Sequence, residues 1–387
     1  MFDQLLVGAA PGDAITRSAL MLHGELAKMG RADIFSQHIE HGMHDLVRPL
    51  SQLSARVNRD RPLVFHASMG SWPVYLALRD NEPRIILVYH NFSPPEYFVE
   101  FAPEVAGDLV RGRWELGQLA HRVELAIADS EYNADELRAI GYQNVEVVPP
   151  TPDVDRLNRV VPDPTMLSRI SSWGQGPLIL CVAQQLPHKR IERVFAAIAV
   201  LQQEHLPGAR LAFVGVDRFD KYSRSLRILA RTVGLREPHL LGRITDAELS
   251  ALYLRAGVFL TLSEHEGFCV PAVEAMAIGT PVVASRRAAI PSTVGDAALL
   301  IDDPDDPALV AGVVHKALTD RVLRRQLVGR GVSRAKELSA AVSLPQLVRV
   351  VTQPYAESLG KALAGNTGSW PAGHADHGDH GVVEVKA

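Results

Sequence analysis

Short apolar runs alternate with stretches of helical periodicity along most of this chain. Apolar runs bounded by turn residues are typical of buried strands, whereas apolar residues that recur every three or four positions predict helices. Alternation of the two predicts an α/β protein, in which parallel sheets are covered by helices on both faces. The predicted strands are Gln4–Val7, Leu63–His66, Ile85–Tyr89, Leu125–Ala128, Val145–Val148, Leu178–Val182, Arg210–Val214, Val258–Leu262, Pro281–Ala284 and Ala298–Ile301. The predicted helices are Ala14–Met29, Trp72–Leu78, Pro103–His121, Asn133–Ile140, Ile191–Gln203, Ser223–Val233, Asp246–Ala256, Pro307–Leu318 and Arg321–Glu337.

The alternation is interrupted between Pro149 and Gly176, where prolines and glycines are frequent and periodicity is weak. We interpret this segment as an interdomain connection that contains a short helix near Thr165–Ser172. A length of 387 residues is also typical of two domains, each with its own core. The predicted organisation is a first domain over 1–160, a second over 161–343, a helix over 344–363 that crosses back to the first domain, and a disordered tail over 364–387.

Composition and charge narrow the classes of function. The net charge of −4 argues against electrostatic capture of nucleic acid, so no nucleic-acid partner is expected. Two cysteines, Cys181 and Cys269, provide neither a disulfide framework nor zinc-ligand spacing, and both are expected to be buried thiols. The chain starts without a secretory signal, and no uncharged run reaches the ~20 residues of a membrane span. These features predict a cytoplasmic protein, with peripheral contact at the inner face of the membrane left open.

The tail carries His374, His377 and His380 at every third position. Such spacing could hold a metal, but a solvated tail is by far the better explanation, and we expect no metal there.

The segment Ser263–Ser285 carries the strongest chemical signal. It reads as strand, loop, short helix and strand, with Glu266 on the loop and Glu274 on the first turns of the helix. Pro271 suits a helix start and Gly279 a helix stop, so free amides would face the loop and form an anion site. Glu274 could accept hydrogen bonds from a diol such as a ribose. The alternative is that both glutamates are solvated, because Glu is common near helix starts.

Two cations follow the first predicted strand of the second domain. Lys189 and Arg190 lie just before a helix and would face the same crevice as the glutamate loop. Cations beside a helix start suit a diphosphate, whereas a merely solvated basic start would be disfavoured by the helix dipole. Gly215 ends another strand at this edge and would leave room for a ligand.

The first domain offers weaker candidates. Gly12 and Asp13 lie in a glycine-containing loop after the first strand, where the glycines leave room for a ligand at the helix start. A plain turn, with Asp13 as a helix N-cap, is the competing interpretation. His66 and His90 each end a predicted strand, where either a structural or a ligand-facing role is open.

Taken together, these residues resemble the retaining, nucleotide-sugar-dependent glycosyltransferases of family 4, which have the GT-B fold of two Rossmann-like domains facing across a cleft. The resemblance extends from Gly8 to about Val351. Its most specific element is Glu266 and Glu274 separated by seven residues, in the context Glu-Gly-Phe-x-x-Pro-x-x-Glu-Ala-Met-Ala-x-Gly-x-Pro-Val.

The resemblance implies roles on the donor side, in the second domain. Glu274 would hold the donor ribose and Glu266 the hydroxyls of the transferred sugar. Lys189 would neutralise the departing diphosphate. The backbone of the segment Gly267, Phe268 and Cys269 would contact sugar and diphosphate.

On the acceptor side, the resemblance assigns His90 to the neighbourhood of donor sugar and acceptor, and Gly12 with its neighbours to the loop that shapes the acceptor site. The chain departs from the family at Gln184, where many members have Arg, so Arg190 becomes the candidate for a second cation.

The implied activity is transfer of a hexose from a donor of the GDP-mannose or UDP/ADP-glucose type to a glycan or lipid-linked acceptor in cell-surface polysaccharide or glycolipid synthesis. No cofactor or metal is expected, because protein cations and helix amides would stabilise the leaving group. A sugar-nucleotide epimerase on a similar fold and a non-catalytic subunit are the alternatives; donor turnover without acceptor would favour the first.

Overall fold

The computed structural model describes residues 2–55, 57, 61–154 and 156–355. Its first half contains β1 (Asp3–Ala9), α1 (Ala14–Met29), β2 (Ile34–Ile39), β3 (Arg48–Pro49), β4 (Pro62–Ala67), α2 (Trp72–Asn81), β5 (Arg84–Tyr89), α3 (Pro103–Leu119), β6 (Val123–Ala128), α4 (Glu131–Ile140) and β7 (Val145–Val147). Two helices follow in the connection: α5 (Arg156–Arg159) and α6 (Pro164–Ser172). The second half contains β8 (Leu178–Val182), α7 (Ile191–Val200), β9 (Arg210–Val214), α8 (Asp220–Thr232), β10 (His239–Leu240), α9 (Asp246–Arg255), β11 (Ala256–Thr261), α10 (Val270–Ile278), β12 (Val282–Ser285), α11 (Ile290–Val294), β13 (Ala298–Ile301), α12 (Pro307–Thr319), α13 (Arg321–Glu337) and α14 (Ala340–Thr352).

The strands of the described ranges form two parallel sheets, as the alternating pattern predicts. One has seven strands in the order β3-β2-β1-β4-β5-β6-β7, and the other has six in the order β10-β9-β8-β11-β12-β13. In each sheet the first strand of that half lies between two later strands, so the strand order reverses beside it. Ligands of open α/β sheets bind at this point, outside the carboxyl ends of the strands. The topology therefore places a potential site at the ends of β1 and β4 and of β8 and β11.

The core explains why the strands are nearly continuous apolar runs. Alternate residues of β8 pack into two different clusters: Leu178 and Leu180 on one face, and Ile179 and Cys181 on the other. Both faces of the sheet are therefore covered by helices, which is the arrangement that parallel sheets require.

Cys181 and Cys269 are buried free thiols, as predicted, and burial raises the pKa of Cys181 to about 12.

Three strands were not predicted. β2 begins with the apolar pair Ile34 and Phe35 but continues as Ser-Gln-His, and β3 and β10 have two residues each. These strands lie at or next to sheet edges, where pairing with a neighbour decides the structure and no apolar run is needed. Helix α8 begins at Asp220, three residues before the predicted start. The pattern did not indicate its first turn because that turn is mostly polar.

The elements outside the sheets agree with the expected pattern where they can be compared. The short helix predicted in the connection is α6, and Gly279 ends α10 in the left-handed conformation, as expected of a helix stop. The last predicted helix appears as α14 and a 3-10 turn at Gln353–Tyr355. Its remainder over 356–363, the tail and the tail histidines lie outside the described residues, and the domain limits stay predictions.

In the part of the chain that the structure covers, every helix is too short or too polar to cross a membrane. Across the same described ranges, no three His, Cys, Asp or Glu side chains are grouped in a way that could hold a metal ion.

Candidate active site

Lys189, predicted to bind the diphosphate, and Glu266, predicted to bind the transferred sugar, form an ion pair. A 3-10 turn at Pro187–Lys189 follows β8, and the loop after β11 carries Glu266. Because β8 and β11 are neighbours, both side chains emerge at one sheet edge, and Lys189 Nζ lies 2.7 Å from Glu266 Oε2. Their side chains are 17% and 13% exposed, so the pair is mostly buried but keeps contact with solvent, and we call the surface around it the recess.

The loop that carries Glu266 is anchored by a buried arginine. Arg193 of α7 donates to Asp305 at 2.7 and 2.6 Å and also contacts Glu264. Arg287 donates to the same Glu264 carboxylate at 3.1 Å, and the Glu264 N–H donates to the His188 carbonyl at 2.9 Å. These contacts hold the backbone two residues before Glu266, so its position is set by packing rather than by loop flexibility.

Left-handed backbone conformations are concentrated around this recess. The φ angles of Asn91, Arg190 and Cys269 are 74°, 52° and 76°, although none of these residues is glycine. Such conformations cost about 1–3 kcal/mol each and are found mainly at functional sites. Cys269 is also the N-cap of α10, and no described side chain caps this helix start. Pro271 has no N–H and the Ala272 N–H donates to the Cys269 carbonyl at 3.1 Å, so the Val270 N–H is the group at this helix start that an anion could meet.

Glu274 is largely buried and is held by partners on two other elements. Its Oε1 accepts a hydrogen bond from Arg156 of α5 at 2.8 Å, and its Oε2 lies 3.1 Å from the hydroxyl of Tyr253 of α9. Burial raises the pKa of Glu274, and Arg156 and Tyr253 oppose that shift by stabilising the carboxylate. The glutamate is thus held in one orientation, with lone pairs left for further donors.

A buried chain of hydrogen bonds crosses the first sheet. Gln4 Nε2 donates to the Ala19 carbonyl at 3.0 Å, which directs Gln4 Oε1 to His66 Nε2 at 2.9 Å. His66 Nδ1 lies 3.0 Å from His90 Nε2, and His90 Nδ1 lies 2.8 Å from Asp129 Oδ2. The chain of side chains follows the strand order β1, β4, β5 and β6.

This chain of bonds assigns the protons. Gln4 accepts, so His66 donates through Nε2 and accepts through Nδ1 from the N–H of His90. Both ring nitrogens of His90 are then engaged, and its side chain is only 3% exposed. The imidazole of His90 is therefore not available to hydrogen-bond a ligand in this structure. The part of His90 that faces the second half of the chain is its backbone carbonyl.

The backbone at His90 and Asn91 contacts the loop that carries Glu266 and Gly267. A Cβ on Gly267 would lie 3.1 Å from the His90 carbonyl oxygen and 2.8 Å from Asn91 Cβ. His265 Nε2 is hydrogen-bonded to the Asn91 side chain, and Tyr132 packs edge-on against His265. The segments that follow the strands of the two sheets thus contact each other at the recess, and Gly267 is required for this approach.

The remaining predicted site residues have defined positions. Asp13 accepts the Thr16 N–H at 2.8 Å and is the N-cap of α1, which confirms the cap interpretation; exposed Gly12 precedes it with φ +80°. Arg190 donates to Glu192 at 3.2 Å. Gly215 lines a cavity of about 200 Å³ together with Gln185, Asp217, Arg227, Leu240 and Gly242, among others. Roles for these residues in binding stay predictions.

Sequence reasoning missed several residues that organise the site. Arg193 was detectable, because a charged residue among the apolar positions of α7 indicates a buried ion pair. Arg156, Tyr253, Gln4 and Asp129 carry no such local signal: the fold alone brings them to their partners.

We expect the protein to lose stability in mild acid. Burial, followed by nearby cationic and histidine side chains, lowers the pKa of His66 and His188 well below the ordinary value and that of His265 to about 4. In the unfolded chain each histidine would have a pKa of about 6.5. Below that pH the unfolded state therefore binds more protons than the folded state, until the lowered pKa of the folded state is reached. For His265, whose pKa is lowered to about 4, the free energy of unfolding should fall by about 2 kcal/mol between pH 7.5 and 5.0, and His66 and His188 add losses in the same direction.

Urea unfolding at the two pH values measures this loss. The variant His265→Asn should show a smaller loss, whereas the exposed His41→Asn should behave like the natural chain. An unfolding free energy that is the same at both pH values would contradict the assignment of neutral buried histidines.

Comparison with known proteins agrees with this architecture. The solved structure of sucrose-phosphate synthase from Thermosynechococcus elongatus superposes with a TM-score of 0.71 at 18% identity, covering 92% of this chain and 100% of that one. Such low identity shows the fold alone. The fold is GT-B.

The second half also matches a family by sequence. Residues 168–334, which include Lys189, Glu266 and Glu274, match the family model described as glycosyl transferases group 1. The O-antigen chain mannosyltransferase B of Escherichia coli is 38% identical over 99 residues, 26% of each chain. A GDP-mannose-dependent α-(1-6)-phosphatidylinositol monomannoside mannosyltransferase of Mycolicibacterium smegmatis is 30% identical over 182 residues, 44% of this chain and 46% of the relative. The matched regions thus span less than half of these relatives.

Proposed function

We propose that this GT-B protein is a retaining glycosyltransferase. It would transfer a hexose from a nucleoside-diphosphate sugar, of the GDP-mannose or UDP/ADP-glucose type, to a hydroxyl of a glycan or glycolipid in cell-surface synthesis. One observation carries the proposal: the Lys189–Glu266 pair lies at the sheet edge beside the uncapped start of α10, and Glu274 lies on that same helix. The two named relatives are mannosyltransferases, which makes GDP-mannose the first donor to test.

The recess suits a departing diphosphate. Cleavage of the bond between sugar and phosphate leaves negative charge on the phosphate oxygens, and preorganised donors in a partly dry site stabilise such charge strongly. Lys189 supplies a cation, and the start of α10 supplies the Val270 N–H together with the positive end of the helix dipole. These groups do the work that a metal ion performs in other transferases, so we propose that none is required.

The two carboxylates would bind different parts of the donor. Glu266, released from part of its contact with Lys189, would accept hydrogen bonds from the hydroxyls of the hexose. Glu274 would accept them from the ribose. The cavity beside Gly215 and Gly242 lies at the ends of β9 and β10 and would receive the base.

On the opposite side, the carbonyl of His90 faces the Gly267 loop and would accept a hydrogen bond from the sugar or acceptor hydroxyl. In a retaining transfer the acceptor attacks from the face that the phosphate leaves, and a phosphate oxygen takes the proton of the attacking hydroxyl. This suits a His90 whose ring nitrogens are both engaged. We propose a cytoplasmic reaction with the acceptor presented at the membrane face.

The test is a thermal-shift series with GDP-mannose, GDP-glucose, UDP-glucose and ADP-glucose, with and without EDTA. One donor should raise the stability by about 2.7 kcal/mol at a hundred times its Kd, and EDTA should leave the shift unchanged. With that donor and a mixture of glycan and glycolipid acceptors, product analysis by NMR should show the donor's anomeric configuration retained. Stabilisation by no donor, inversion, or conversion of the donor to an epimer without acceptor would contradict the proposal.

A further inference from the structure

We propose that Arg156 is a positioning residue for the nucleotide ribose, acting through Glu274. Its guanidinium holds the Glu274 carboxylate in place and charged, so that the remaining carboxylate lone pairs accept hydrogen bonds from the two ribose hydroxyls. The inference rests on the proposed function and adds to it a residue outside the glutamate motif, in the segment that connects the two sheets.

The first observation is the geometry of Arg156 itself. It belongs to the short helix α5, its side chain is 14% exposed, and it donates to Glu274 Oε1 at 2.8 Å while also contacting Asp246. Helix α5 is fixed in turn, because Ser250 of α9 donates to the Leu157 carbonyl at 2.9 Å and Leu157 is 1% exposed. The guanidinium is therefore held on a rigid support rather than on a mobile loop.

The second observation is that the Arg156–Glu274 ion pair is buried at a cost in free energy. The Glu274 side chain is 9% exposed, and the Nε of Arg156 is buried without a described hydrogen-bond partner. Buried ion pairs of this kind contribute little stability compared with apolar residues of the same volume. An incompletely satisfied pair at the edge of a ligand recess is better explained by a role in that recess.

The chemistry of the carboxylate gives the role. Two vicinal hydroxyls need an acceptor with several lone pairs, which an ionised carboxylate has and a protonated one partly loses. Burial favours the protonated form of Glu274, and the groups that act on it are Arg156, Tyr253 of α9 and Arg17 of α1. Of these, Arg156 is the cation in direct contact, so removing it would make the carboxylate easier to protonate at neutral pH.

The experiment compares Arg156→Gln with Arg159→Gln. Arg159 lies in the same short helix but pairs with Asp153, and its side chain is 61% exposed. Isothermal titration measures the Kd of GDP, UDP, ADP and their 2′,3′-dideoxy forms for each protein between pH 6 and 9. Thermal unfolding of the free proteins checks folding, and Arg156→Lys, which keeps the charge, provides a second variant if Arg156→Gln is unstable.

The natural chain and Arg159→Gln should bind the ribose form of one nucleotide at least about tenfold more tightly than its dideoxy form, since hydrogen bonds to a charged group are worth that much. In Arg156→Gln this ratio should fall several-fold, and the remaining affinity for the ribose form should improve as the pH rises. Arg156→Lys should be intermediate, with little pH dependence.

Three results would overturn the inference. If Arg156→Gln keeps the ribose preference, or binds the ribose form more tightly, Arg156 does not position Glu274 for the ribose, while the proposed function still stands. If Arg156→Gln weakens the ribose and dideoxy forms equally, with a flat pH profile, the effect is only structural. If the natural chain binds none of GDP, UDP and ADP, the proposed function fails and this inference fails with it.

Discussion

Replacement of Lys189 by Ala is expected to reduce sugar transfer by about 10²–10³-fold, the usual loss when one preorganised charge-stabilising group is removed. The ammonium lies at the sheet edge where the diphosphate would leave, and the negative charge it meets is larger in the transition state than in the bound donor. We therefore expect kcat to fall, together with the affinity for the nucleoside diphosphate. Steady-state kinetics with the donor found in the thermal-shift series measures both.

The ion pair itself complicates this variant, because removal of Lys189 leaves Glu266 without its partner in a half-buried position. The double variant Lys189→Met with Glu266→Gln removes both charges, so its stability should recover while transfer stays lost. Lys221→Ala is the control: Lys221 is 61% exposed, donates to the Glu100 carbonyl, and should keep full activity when replaced. Near-normal transfer by Lys189→Ala would remove this residue from the catalytic assignment.

Replacement of Gly215 by Ala is expected to lower the free energy of unfolding by about 3 kcal/mol or more, as severe overpacking does. A Cβ at this position would lie 1.7 Å from the carbonyl oxygen of Ala183 and 3.2 Å from the ring of Phe213. The obstacle is backbone, held where the Ala183 N–H donates to the Val214 carbonyl at 2.9 Å, so it cannot rotate away. The ends of β8 and β9 would have to separate.

Gly312→Ala provides the matched control. Gly312 lies inside α12, no described atom is within 4 Å of its Cβ position, and the change should stabilise the protein by about 0.5–1 kcal/mol. Urea unfolding of both variants measures the contrast. Equal stability of Gly215→Ala and the natural chain would show that β8 and β9 do not approach as described. Because Gly215 also lines the 200 Å³ cavity, the variant should bind nucleotide more weakly as well.

The predictable part of the site consists of residues at strand ends. Glu266 and Lys189 each follow an apolar run within a few residues, and parallel strands end at a common edge, so strand neighbours alone bring them together. Pro271 and Gly279 likewise mark the start and end of α10 through backbone preferences that act within a single turn. Signals of this kind are local, and a single sequence displays them.

Other parts of the site depend on residues that are remote along the chain. Arg156 and Glu274 are separated by 118 positions, and nothing near Arg156 in the sequence indicates a carboxylate partner. His66 and His90 were open to structural or ligand-facing roles, and the strand order β1-β4-β5-β6 places them between Gln4 and Asp129. That order engages both nitrogens of His90 and leaves its carbonyl to face Gly267.

The sequence by itself therefore determined the α/β class, helix α10 with its glutamate, and the approach of Lys189 to Glu266, because apolar periodicity and turn chemistry act over a few residues. Only the tertiary structure decided which groups orient those residues: Arg156 and Tyr253 on Glu274, Arg193 on the loop before Glu266, and Asp129 on His90. Hydrogen bonds and ion pairs depend on distances of about 3 Å in space. Sheet order and helix packing set those distances, and separation along the chain does not.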